Sequence, residues 1–140
     1  MRRLPLALLG ATFALALLSK PPPVAAQSSA PPGDGYKKVS TLVALPDFLP
    51  GLGTLYADPA TLPAGPFLAY DRQGNLVSSI YMIPLEDMKA QKAFTGLKTA
   101  QGKQVDHVDV VYNAGHPGVA EPHYHLIQWY IPADKTAALK

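Results

Sequence analysis

Proline and glycine interrupt this 140-residue chain at fifteen and eleven positions, so long helices have little room and short extended segments must carry the fold. Val39 to Leu45 alternates loosely and is rich in β-formers, while Pro46, Pro50, Gly51 and Gly53 turn the next stretch into a loop. A short strand is expected from Thr54 to Ala57, stopped by Asp58-Pro59. Pro66 to Tyr70 and Leu76 to Ile83 then flank Asp71-Arg72-Gln73-Gly74, whose first Asp and last Gly suit a type I turn closing a bulged hairpin. Only Leu85 to Leu97 reads as an interior helix, with Ala90, Ala93, Phe94 and Leu97 on one face, Gly96 placed to end it, and the sheet as its packing partner. Strands are expected at Val105 to Tyr112 and His123 to Ile131, and a short C-terminal helix can start at Ala133. Strands outnumber helices with no alternating βαβ series. The expected class is therefore α+β, a mainly antiparallel β-sheet with one packed helix.

Residues 1–26 read as an export signal. Arg2 and Arg3 precede an apolar stretch from Leu4 to Leu18, and Val24-Ala25-Ala26 offers a cleavage site that leaves Gln27 as the first mature residue. Pro5 and Pro21-Pro22-Pro23 shorten the stretch to about fifteen residues, below the roughly 20 of a spanning helix, so no stable membrane anchor is expected after cleavage. Cleavage removes Arg2, Arg3 and Lys20 and no acid, leaving nine basic against ten acidic residues. A near-neutral surface with scattered lysines is a poor partner for nucleic acid. Residues 27–35, a Ser/Ala/Pro/Gly run, are expected to form a flexible tether, and residues 36–140 a single domain large enough for its own hydrophobic core. There is no cysteine, hence neither a disulfide nor a thiolate ligand. Cysteine-free chemistry, eleven mature prolines and only Asn75 and Asn113 as asparagines fit a heat-tolerant secreted protein.

All four histidines, His107, His116, His123 and His125, fall within nineteen residues. Imidazole is the commonest transition-metal ligand, so this confinement points to a site. Residues two apart on a strand share a face, which puts His123 and His125 together beside Ile127, Trp129 and Ile131. His107 shares its own face with Val105, Asp109 and Val111, and a hairpin register placing it opposite the pair would bring three rings together. A slip of one residue would send it to the other face. The connection Asn113 to Pro122 is long, with two glycines and two prolines, and loops of this kind are often functional. His116 and Glu121 can fold from it over the pair. The candidate metal ligands are thus His123, His125, His107, Glu121 and His116 in that order, for a divalent transition metal: Zn(II), Cu(II), Ni(II) or Fe(II).

The same residues admit other readings. His-x-His beside aromatics also serves as a hydrogen-bonded pair lining a groove or subunit contact, with Trp129 and Tyr130 as interface anchors. His107 can simply be oriented by Asp106 and Asp109, His116 can shape a turn before Pro117, and Glu121 can be a solvated loop acid. A small hydrolase or isomerase using histidine and Glu121 as base and acid is a third reading. No nucleophile motif supports it, so no catalytic residue is assigned.

Three segments carry a family resemblance: Gly53-Thr54-Leu55-Tyr56-Ala57-Asp58-Pro59, Gly65-Pro66-Phe67-Leu68-Ala69-Tyr70-Asp71, and Asn113-Ala114-Gly115-His116-Pro117-Gly118 running into Glu121-Pro122-His123-Tyr124-His125. Across almost the whole mature chain the sequence resembles a small family of uncharacterised exported bacterial proteins best known from Thermus. Its representative lies under an extracytoplasmic stress sigma factor and its anti-sigma partner. The resemblance implies periplasmic or extracellular localisation, a stress-linked setting and a homo-oligomer. It implies no activity.

Overall fold

The computed structural model describes residues 27–140, and the expected signal segment 1–26 lies outside the described residues. Six strands, β1 (Lys37–Lys38), β2 (Thr54–Ala57), β3 (Phe67–Tyr70), β4 (Leu76–Pro84), β5 (His107–Asn113) and β6 (His123–Trp129), form one antiparallel sheet in the order β1-β2-β3-β4-β6-β5. Two short helices, α1 (Leu85–Lys89) and α2 (Ala133–Thr136), complete an α+β fold. Among the described residues no helix is long and apolar enough to cross a membrane.

Turn chemistry sets the β3–β4 hairpin. One Asp71 carboxylate oxygen accepts from the N–H groups of Gln73 and Asn75, Gly74 takes φ +81°, and the register shifts by a bulge at Ala69/Tyr70. Residues 28–30, read from sequence as part of a tether, lie against this turn: Ser29 bridges Asn75, and Ala30 N–H donates to the Gly74 carbonyl at 2.9 Å.

β3 is buried throughout and β4 nearly so, because both sheet faces are covered. One face packs Leu55, Phe67, Ile80, Ile127 and Trp129 beneath Val39, Val43, Leu49, Leu52 and Leu139. The segment expected as a strand from Val39 supplies part of this cover as a 3-10 turn, Val39–Thr41, with the N–H groups of Leu42 and Val43 both donating to the Val39 carbonyl. On the opposite face Leu68, Tyr70, Leu76 and Ala100 make a second core. Trp129, a candidate interface anchor, is a core residue of its own chain, 3 % exposed.

The expected helix over Leu85 to Leu97 stops at Lys89, because Gln91 takes φ +56° and breaks it. Two alanines on the proposed stripe bury little area, and the competing extended path is anchored by tyrosines. Tyr81 Oη donates to the Lys98 carbonyl (2.8 Å) and accepts from Lys98 N–H (2.9 Å), while Tyr130 Oη accepts from Ala100 N–H (2.8 Å). Phe94 stays exposed rather than packing through a helix.

β6 lies between β4 and β5, although β5 precedes it in sequence. Its alternating apolar set needs cover, whereas β5 places His107, Asp109, Val111 and Asn113 on that face and forms one edge of the sheet. The β4–β6 register fixes the site, setting Met82 opposite His125 and Pro84 opposite His123.

Candidate metal centre

His123 and His125 project from β6 onto the same face, as the two-residue strand period requires, and lie 1 % and 9 % exposed. His116 reaches them from the β5–β6 connection. There His116 and Val119 bridge each other with N–H to carbonyl bonds of 2.8 and 2.9 Å, forming a tight turn that tips the imidazole inward. Gly115 makes this path available: its φ is +125°, and a Cβ there would meet the Ala120 backbone. The three rings sit with centroids 4.9 Å apart for His116–His123 and His123–His125, and 5.5 Å for His116–His125. One nitrogen from each lies within 4.8 Å of the others.

Backbone carbonyls decide which nitrogens are available. A carbonyl can only accept, so His123 Nδ1–H donates to the Glu121 carbonyl at 2.7 Å and His116 Nδ1–H donates to the Pro117 carbonyl at 3.0 Å. When these rings are neutral, both keep Nε2 as the acceptor and ligand atom, the arrangement that orients metal-binding histidine. His125 Nε2 lies 2.9 Å from His123 Nε2, and its N–H donates across that gap. An ion would replace that proton. Tetrahedral coordination at about 2.0–2.1 Å places ligand nitrogens roughly 3.4 Å apart, a spacing these rings reach by modest torsional adjustment. The buried imidazole cluster thus offers a site for a divalent transition metal.

Burial, reinforced by the neighbouring His123 and His116 rings, pushes the His125 imidazole down to about 4. The ring is therefore neutral and ligand-competent at pH 7. Because its folded value lies below the ordinary one, the unfolded chain takes up the proton first. Metal-free protein is fully stabilised by this group above about pH 6.5 and loses that contribution as pH falls towards 4, by about 3 kcal/mol. Urea unfolding at pH 7 and pH 4 checks this, and His125→Gln is expected to shrink the difference between the two.

The other candidates stand apart. β5 pairs with β6 so that His107 faces Trp129 and Asn113 faces His123, which puts His107 near the far end of the hairpin, about 14–20 Å along the strand from the pair. The length of the connection sets that register. His107 Nδ1 is held by Asp106 Oδ1 at 2.8 Å, and its ring stacks on Trp129 at 6.1 Å, a structural setting rather than a ligand position. Glu121 is exposed and meets the cluster through its backbone carbonyl.

Sequence reasoning missed a neighbouring feature. An apolar cavity of about 300 Å³ lies under the segment 39–55, and His116, His125 and Asn113 are among its lining residues. The signal was the run of leucines and valines between Val39 and Leu55, which proline and glycine keep from forming a strand.

No family model and no curated protein matches the chain. Among solved structures the chain is similar to a hypothetical protein, TTHB210, from Thermus thermophilus. The two share 46 % identity with a TM-score of 0.61, over 68 % of this chain and 92 % of that one.

Proposed function

This chain belongs to the same family as the Thermus thermophilus hypothetical protein, and from that premise we propose that it is an exported envelope protein working through one divalent transition-metal ion held by His116, His123 and His125. The observation that carries the reading is the gathering of one ring nitrogen from each of the three histidines within 4.8 Å, with the Nδ1–H groups of His116 and His123 committed to backbone carbonyls. Three imidazoles leave a fourth position for water or a ligand, the pattern of a reactive rather than a purely structural site. The leader in residues 1–26 supports export, and the family resemblance supports a stress-linked role. Metal analysis of untagged protein equilibrated with Zn(II) and freed of excess tests the centre, with one ion per chain expected. An ion content far below one removes it.

A homo-oligomer is the accompanying reading, supported by the β5 edge. Val108, Val110, Val111 and Tyr112 are 48–56 % exposed there, with unpaired backbone groups alongside. Light scattering of the Val110→Lys protein checks it: a mass lower than that of the unmodified protein is expected, and equal masses argue against this edge.

A further inference from the structure

We propose that the apolar cavity beside the imidazole cluster binds a medium-chain aliphatic monocarboxylate, its tail among the side chains of the 39–55 cover and the sheet, its head at the open metal position. The inference rests on the metal reading above and adds the ligand class.

The cavity has one chemical asymmetry. Most of its wall is hydrocarbon from Val43, Leu45, Leu52, Leu55, Phe67 and Ile80, and its polar side chains include His116, His125 and Asn113. Register puts those three together, since Asn113 stands opposite His123 at the end of β5 where the connection to His116 begins. Asn113 Oδ1 accepts from Gly115 N–H at 2.9 Å, which leaves the side-chain NH₂ as a donor. A metal with a vacant position and an amide donor beside it match the two oxygens of a carboxylate. The lining contains no lysine or arginine, so beyond the ion itself a phosphate headgroup would find no further cationic partner, whereas the two oxygens of a carboxylate need none.

Size and access fit the same class. A volume of about 300 Å³ at ~30 Å³ for each water-sized group holds a chain of on the order of ten heavy atoms. Leu42 and Leu62 line the cavity yet are 40 % and 39 % exposed, which marks its mouth. The site is formed in advance: Gly118, at φ +89°, packs so closely on Val43 that a Cβ would meet its side chain at 2.8 Å, tying the His116 loop to the cavity cover.

Mature protein loaded with Co(II) and titrated with decanoate, acetate and decanol reads the proposal through the ligand-field absorption of the ion. Decanoate is expected to shift the spectrum with one-to-one saturation. Acetate should need at least a hundredfold higher concentration, because it lacks the tail, and decanol should shift the spectrum less than decanoate. Leu45→Trp, which fills the cavity, should weaken decanoate at least tenfold while leaving the Co(II) spectrum and the acetate response unchanged. Leu42→Trp at the exposed mouth gives the same reading should the first variant fold poorly. A chain that binds no Co(II) overturns both the metal reading and this one. Bound Co(II) that is indifferent to decanoate, or that responds equally to acetate, overturns this inference alone.

Discussion

Protein carrying His123→Ala and His125→Ala together is expected to lose its bound metal entirely, where the unmodified chain keeps one ion. Removing an outer-shell partner of a metal site typically costs about 10–100-fold in affinity, and removing two of three direct ligands costs more. A second readout comes from linkage. An ion that binds only the folded chain adds about 2.7 kcal/mol of stability at a hundred times its Kd, so Zn(II) should raise the Tm of the unmodified protein and leave that of the double variant where it was. His123 is almost fully buried, and its loss opens a cavity, so His116→Ala is the milder companion: this ring sits on the loop and is only partly buried. It too should weaken the metal. Retained stoichiometric Zn(II) in the double variant would remove the site.

That site is half legible from residue spacing. The two-residue strand period puts His123 and His125 on one face without any tertiary knowledge. Spacing alone favours His107 as their partner because it too faces inward from β5, but the choice of strand register belongs to the length and path of the connection, which spacing does not encode. The same connection brings His116 forward instead. Local turn chemistry makes the β3–β4 hairpin readable, since Asp71 and Gly74 act on their own neighbours. The interior helix fails for the opposite reason. Its extended replacement is held by Tyr81 and Tyr130, hydroxyls seventeen and thirty residues away from the backbone groups they bind.

Trp129→Ala should produce the largest loss of stability outside the metal centre, about 3–5 kcal/mol from truncating a buried indole. A domain of this size has about 5–15 kcal/mol in total, so the variant is expected to melt on the order of 15 °C lower. The ring lies under the sheet face with Ile127, its Nε1–H donates to Asp109 at 2.8 Å, and His107 stacks on it. Trp129→Phe keeps most of the packing and forfeits the hydrogen bond, about 1 kcal/mol. Because Trp129 sits four residues beyond His125, that second variant should bind Zn(II) with the affinity of the unmodified protein. Thermal unfolding and metal titration on the two proteins separate packing from coordination, and a drop below about 5 °C for the alanine variant would show that the indole does not organise this face.

His116, His123 and His125 all belong to a single stretch of ten residues. Gathering them around an ion closes a short ring of backbone, which asks for far less ordering than joining distant strands. The coordination sphere can therefore assemble within one hairpin, ahead of the docking that sets β6 beside β4. An ion held by these three rings would therefore act as a nucleus for the last two strands, and refolding with Zn(II) present should outpace refolding without it.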